Sequence, residues 1–247
     1  MDFSRFTTIS FDCYGTLINW EAGILPALRR VLENHGRELA DAVVLELYGE
    51  FEAEAESGEY RNYREVLQSV VCSFGTSLGF EPTPSEVRAL DQSVPSWPPF
   101  RDTVEALRQL AKKYRLAIIS NIDDELFAQT SKVLGVTFDT VVTAEQAKAY
   151  KPSLKNFELA LKKLAIPREQ LLHAGQSIYH DVIPAQSLGL ATVWVNRRSA
   201  RPGVGAVKAA KGMPDLEVRD LMTLAALAAP DQLLKSRGKR SNARRDY

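Results

Sequence analysis

Five short apolar runs, most of them separated by helical patterns, constrain this chain more than any other feature. They are Thr7–Phe11, Leu116–Ile119, Phe138–Val142, Gln170–His173 and Thr192–Val195. Each is too short for a buried helix and nearly continuous in apolar character, which predicts strands covered on both faces. Between the last four lie amphipathic segments. Asp124–Leu134 has an acidic first turn and stops at Gly135. Pro152–Leu164 puts Phe157, Ala160, Leu161 and Leu164 on one side, and Asp181–Leu188 stops at Gly189. Strands alternating with helices predict an α/β fold with a parallel sheet in the middle of three layers.

The first gap breaks this rhythm. The first run ends at Asp12 and the second begins only near Leu116, whereas a plain strand–helix–strand unit takes roughly 30 residues. The surplus reads as helical. Leu25, Leu28, Val31 and Leu32 make one apolar stripe, Leu45, Leu47, Tyr48 and Phe51 a second, and Val66, Leu67, Val70 and Val71 a third. A helical module over 16–96 is therefore expected inside a core domain formed by 1–15 and 97–234. Pro95-Ser96-Trp97-Pro98-Pro99 would be the return hinge, followed by a helix over Asp102–Tyr114. Residues 235–247 carry six Lys and Arg against one acid, Asp246, and are expected to be a disordered basic tail.

Charge and cysteine content narrow the function classes. Lys and Arg total 31, and Asp and Glu also total 31, so the chain lacks the basic excess of a nucleic-acid binder. No apolar run reaches membrane-spanning length, and Met1–Phe6 lacks the pattern of a secretory signal. Cys13 and Cys72 make neither a disulfide framework nor a zinc site. The expectation is a soluble, cytoplasmic protein acting on a small molecule, with no membrane or nucleic-acid partner.

In an open parallel sheet, ligands bind beyond the carboxyl ends of the strands. The residues just after each run are therefore informative: Asp12 to Leu17, then Ser120-Asn121, then Lys151-Pro152, then Gly175-Gln176-Ser177 with Asp181. A carboxylate, a hydroxyl with an amide, an ammonium and a second carboxylate converge on one edge. Asp12, leaving an apolar strand before a glycine-containing turn, has the position of a carboxylate nucleophile. Lys151 would keep it ionised and offset charge in the transition state. Thr16, Ser120 and Asn121 are hydrogen-bond donors beside it.

These residues resemble the haloacid dehalogenase superfamily over roughly residues 5–230. Phe11-Asp12-Cys13-Tyr14-Gly15-Thr16-Leu17 is similar to its first motif, Ser120-Asn121 to the second, Ala149-Tyr150-Lys151-Pro152 to the third and Gly175 through Asp181 to the fourth. The resemblance implies a Rossmann-like core, a type 1 helical cap that closes over the site, and a possible homodimer. Phosphatases of this superfamily carry a second Asp two residues after the nucleophile and Gly-Asp in the fourth motif. Here those positions are Tyr14 and Gln176. A phenol with a pKa near 10 is a poor acid at neutral pH, and a neutral amide is a weak ligand for a hard cation.

Both features are similar to the (S)-2-haloacid dehalogenase branch, which needs no metal. That likeness implies attack by Asp12 on the halogen-bearing carbon, an aspartyl ester, and hydrolysis with Lys151 and Asp181 orienting water. It gives Thr16, Ser120, Asn121 and Ser177 supporting catalytic roles, and places Tyr14 and Asn121 at the substrate. An Mg²⁺-dependent phosphatase and a non-catalytic binding protein are the alternative classes. Departures from the branch are visible. The spacing from Gly175 to Asp181 is one residue longer, which leaves His180 unassigned, and Phe157 replaces a tyrosine. The second cap helix, from Tyr48 to Glu56, has no arginine where the branch uses one at the halogen. Arg61 and Arg64 are the candidate substitutes for substrate binding. His173, inside a strand, is expected to be a satisfied core residue.

Overall fold

The computed structural model describes residues 1–197, 205–206 and 210–230, so the expected basic tail lies outside the described residues. Six strands are present in the described part: β1 (Thr8–Phe11), β2 (Arg115–Ser120), β3 (Thr140–Thr143), β4 (Leu171–Gly175), β5 (Ala191–Val195) and β6 (Leu216–Val218). They form one sheet in the order β3-β2-β1-β4-β5-β6, and every pairing is parallel. Strand β6 was not among the sequence expectations. Three residues long, with only Val218 buried, it offers too little apolar pattern to be read.

Helices α1 (Trp20–Asn34), α2 (Asp41–Ala55), α3 (Tyr63–Leu78), α4 (Pro84–Val87) and α5 (Ala89–Ser93) fill the long first gap. After them come α6 (Thr103–Leu110), α7 (Asp124–Leu134), α8 (Ala144–Ala147), α9 (Lys155–Leu164), α10 (Ile183–Ser187) and α11 (Leu221–Ala228). Alternate strand residues face opposite sides of the sheet. Ala117, Ile119, Val142 and Leu171 are buried with Phe157 and Ala160 of α9 and Ala185 of α10. Leu116, Ile118, Leu172 and Val193 are buried in the cluster that holds Leu107 and Leu110 of α6 and Leu221 and Leu224 of α11. This is the expected α/β, three-layer, Rossmann-like arrangement.

Helix α9 begins at Lys155 rather than at the expected Pro152. The segment before it is held in a turn by Ser153 N–H donating to Tyr150 O, and by the Lys151 N–H donating to Asn121 Oδ1 at 2.7 Å. The segment expected as one helix from Asp181 is instead a π turn over Ile178–Val182 followed by α10. In it the Val182 N–H reaches back five residues to Ser177 O at 3.2 Å. A π turn absorbs one extra residue without disturbing its flanks, which accounts for the longer spacing from Gly175 to Asp181.

The helical segment leaves and rejoins the sheet at one place. Asn19 N–H donates to Pro98 O and Phe100 N–H to Leu17 O, so the outgoing and returning strands lie side by side. Trp97 lies directly under Gly23, where a Cβ would sit 2.1 Å from the indole. Inside the segment the first and third expected stripes are buried, while in the second Leu45 and Tyr48 are enclosed and Leu47 and Phe51 are half-buried. Residues 121–123 tie it to the sheet edge. Both Asp123 carboxylate oxygens accept from the first turn of α3, Tyr63 N–H at 2.7 Å and Arg64 N–H at 3.0 Å, where a negative charge is favoured by the helix dipole. The Tyr150 hydroxyl donates to Arg61 O at 2.7 Å across the same junction.

Candidate active site

The carboxyl ends of β1, β2 and β4 open onto a cavity shared with α2 and α3. Asp12, Tyr14, Trp20, Glu52, Glu56, Tyr63, Ser120, Asn121, Lys151, Gln176, Ser177, His180 and Asp181 line it. Its volume is about 40 Å³, space for about three water-sized groups at 10–15 Å³ each. A ligand of a few heavy atoms fits at its base.

Asp12 extends from β1, with its N–H donating to Ala174 O at 3.0 Å. Both of its carboxylate oxygens are held. Lys151 Nζ donates to Oδ1 at 2.9 Å and Thr16 Oγ1 donates to Oδ2 at 2.7 Å. The Thr16 oxygen in turn accepts from Gln176 N–H at 2.9 Å. Gly15, at φ +89°, makes the turn that brings Thr16 back over Asp12; its backbone conformation favours glycine. Lys151 is the hub. It is 2% exposed and also donates to Asp181 Oδ1 at 2.6 Å and to Ile119 O at 2.9 Å. An ammonium has three protons, and three acceptors take them.

Asp181 approaches so closely that a Cβ at position 175 would stand 2.4 Å from its carboxyl carbon, which only glycine avoids. Ser177 N–H donates to its Oδ2 at 3.2 Å. His173 Nε2 is 3.3 Å from its Oδ1, and His173 Nδ1 is 2.9 Å from Ser10 Oγ. His173 is thus a satisfied buried residue as expected, and it also orients Asp181. The electrostatics separate the two acids. Burial pushes the Asp12 carboxyl above its ordinary value, more than Lys151 offsets, with the Asp181 charge adding to the rise. Asp181 is desolvated too, but Lys151 and His173 together hold it well below the carboxylate range. Burial opposes the charge on Lys151, yet the two aspartates keep it firmly protonated. Asp12 is therefore the more basic of the pair.

The other expected residues divide. Asn121 lines the cavity and staples the Lys151 backbone, accepting at Oδ1 and donating to Lys151 O at 3.2 Å. Ser120 lines it at 1% exposure, and its hydroxyl has no hydrogen-bond partner. Ser177 lines it beside His180, whose N–H donates to Ser177 Oγ at 3.0 Å. Tyr14 presents its ring, while its hydroxyl bonds Thr130 Oγ1 of α7 at 2.7 Å; burial pushes that phenol well above its ordinary pKa. Arg61 and Arg64 are a correction, since neither lines the cavity. Arg61 donates to Ala55 O and Ser69 Oγ, and Arg64 pairs with Glu125 and Asp91. Tyr63 N–H and Arg64 N–H are pinned by Asp123, so this turn points its guanidiniums outward.

Sequence reasoning missed the groups that α2 and α3 contribute. Glu52 is 8% exposed and accepts at one oxygen from Tyr48 OH at 2.7 Å and from Tyr63 OH. Glu56, half-buried and one turn on, accepts from Asn121 Nδ2 at 3.3 Å. The Tyr48, Glu52, Glu56 spacing was the available signal, because residues four apart share a helix face. Burial raises the pKa of Glu52 to about 7, against the two tyrosine hydrogen bonds. Burial and the neighbouring Glu52 raise that of Glu56 well above the ordinary value.

The sequence pattern of haloacid dehalogenase-like hydrolases matches residues 6–189. The chain belongs to this family. It is 28% identical over 222 residues to (S)-2-haloacid dehalogenase H-109 of Pseudomonas putida, covering 86% of this chain and 93% of that protein. The fold is that of L-2-haloacid dehalogenase from Xanthobacter autotrophicus, at TM-score 0.76 and 21% identity over 90% of this chain and 98% of that one. The same enzyme with chloropropionic acid covalently bound superposes at TM-score 0.75 and 22% identity, with the same coverage. Among the described residues no helix is long and apolar enough to cross a membrane.

The donor set does not suit Mg²⁺. A hard cation needs several carboxylates converging on one point, and among the described residues no three His, Cys, Asp or Glu are so placed. Here the Lys151 ammonium lies against both Asp12 and Asp181, and the neighbouring position is the neutral Gln176.

Proposed function

We propose that this hydrolase cleaves the carbon–halogen bond of a small 2-haloalkanoyl compound through an ester on Asp12, without a metal. The (S)-2-haloalkanoic acids are the reference class and (R)-2-hydroxy acids the corresponding products. One observation carries the reading: Lys151 bridges Asp12 and Asp181 while both Asp12 oxygens are held in place. That arrangement suits a carboxylate nucleophile. The hydroxyl of Tyr14, the residue two after Asp12, is committed to Thr130.

An Asp12 oxygen attacks the carbon opposite the halogen, and the carbon–halogen bond breaks with its electron pair leaving on the halide. Halide is a stable anion and needs no proton. Raised basicity makes Asp12 the better nucleophile of the two acids. Water then attacks the Asp12 carboxyl carbon. The Lys151 ammonium and the Thr16 hydroxyl stand at hydrogen-bond distance from its two oxygens and stabilise the charge that builds there. The ester C–O bond breaks, one proton of the water goes to the product oxygen and the other is lost to solvent, and the Asp12 carboxylate is restored. Asp181 and Ser177 flank the water's approach.

The reading is tested by halide release from both enantiomers of 2-chloropropionate at high concentration, with and without a chelator. Release from the S enantiomer, giving R-lactate and indifferent to chelation, is expected. Chelator-sensitive phosphate release from an aryl phosphate with Mg²⁺, and no halide, would reject it.

A further inference from the structure

The cavity has two unlike walls. The core wall offers Asp12 and Asp181 with Lys151 between them. The facing wall offers Glu52 and Glu56, and Lys151 is the only lysine or arginine among the lining residues. All three of its protons are already engaged. The Asn121 amide, a donor an incoming anion would use, already donates to Lys151 O and to Glu56. Resting on the reading above, we propose that the α2 wall selects substrates whose non-reacting end donates N–H hydrogen bonds, a 2-haloamide or a haloalkylamine, over free 2-haloacids.

Three observations support this. Glu52 and Glu56 lie one turn apart on the same helix face and both line the cavity, where burial works against their charge. Keeping both at the cavity suits a role in ligand discrimination. The two tyrosine hydroxyls bond one oxygen of Glu52, Oε1, and leave Oε2 outside that pair of bonds. Glu56 stands a turn further along the same wall. An amide NH₂ or an ammonium can donate to Glu52 Oε2, which neither tyrosine bonds, and can share the Glu56 oxygens with Asn121. The unpartnered Ser120 hydroxyl, buried at the floor, can accept from the same group or donate to an amide carbonyl. A substrate carboxylate would instead add negative charge beside a glutamate pair whose pKa values burial already raises, with Lys151, the one lysine or arginine among the described lining residues, fully engaged; like-charge juxtaposition is a usual device for rejecting a ligand.

The test separates binding from turnover. Binding of unreactive probes to the wild-type protein is followed by ligand-observed NMR at pH 8: propionamide, propylammonium and propionate. The expected result is at least about tenfold tighter binding of propionamide or propylammonium than of propionate. Glu52→Gln and Glu56→Gln, each checked by thermal melting for an intact fold, should shrink that gap. Equal affinities, tighter propionate, or no binding by any probe overturns the proposal. Halide release is then measured from 2-chloropropionamide and 2-chloropropionate. No halide from either fails the reaction assigned above, while the binding order still judges the selectivity. Faster release from the acid fails the selectivity and leaves the reaction standing.

Discussion

The two walls of the cavity were built under different constraints. The core wall is made of residues placed at the ends of β1, β2 and β4, and its geometry is dictated by the sheet. Asp12 and the Gly175–Asp181 segment meet because β1 and β4 end side by side, Asn121 beyond β2 fastens the Lys151 backbone beside them, and Gly175 clears the space for Asp181. The opposite wall hangs on helices joined to the sheet by two adjacent crossings and a few polar contacts. Nothing in the sheet dictates which side chains α2 turns inward. The difference assigns bond-breaking to the core and choice of substrate to the helical wall, so changes on the two sides should have different signatures.

The sharpest break comes from the core. Lys151→Met removes the ammonium that bridges the two buried aspartates Asp12 and Asp181. Loss of one partner from a buried ion pair costs about 3–5 kcal/mol, so urea unfolding should show a drop of that order. Turnover should fall by roughly 10³-fold or more, the cost of losing a preorganised charge stabiliser. A variant that retained wild-type stability would mean that the buried cluster is not charged as described. Substitutions at Glu52 or Glu56 should move substrate order far more than they move stability.

A second consequence separates the two aspartates. Asp12 must be ionised to attack, and burial raises its pKa. Activity should therefore be lost as pH falls through a value above the ordinary aspartate pKa of about 3.9, visible as the acid limb of kcat/KM. A limb at or below the ordinary value would place the basic carboxylate elsewhere.

The smallest effect belongs to Glu52. Its pKa is about 7 in the folded chain against an ordinary 4.5, so the native state binds that proton more tightly than the unfolded chain. The burial penalty is absent below the ordinary value and grows as pH rises toward 7, meaning wild-type stability is lost over that window. Glu52→Gln lacks this loss. The melting temperature of wild type relative to the variant should fall by a few degrees between pH 5 and 8. A constant difference would show Glu52 to be charged throughout.

The same contrast explains what could be read from the chain. Strands β1 to β5 and the residues after them were legible because burial on two faces leaves continuous apolar runs, and the ends of such runs are where polar residues stand out. The stripes of α1 and α3 were legible because burial of one helix face spaces apolar residues three and four apart. Glu52 and Glu56 were missed because a glutamate is ordinarily read as solvated, although their four-residue spacing from Tyr48 marked the face they share. Arg61 and Arg64 looked like substitutes for a missing cation because they are cationic and close in sequence. Their direction was set by Asp123, 59 or more residues away. The π turn at Ile178–Val182 shows the converse, since an extra residue was visible in the spacing and only the backbone revealed where it went.

The central claim is that Asp12 becomes esterified and is regenerated by attack of water on its own carboxyl carbon. A single turnover of excess enzyme with 2-chloropropionate or 2-chloropropionamide in oxygen-18 water tests this directly, read by mass spectrometry of the peptide containing Asp12. The account predicts heavy oxygen in the Asp12 carboxylate and ordinary oxygen in the released hydroxy product, with no halide and no label from Asp12→Asn. Heavy oxygen in the product and none in Asp12 would mean that water attacks the substrate itself, and would contradict the account.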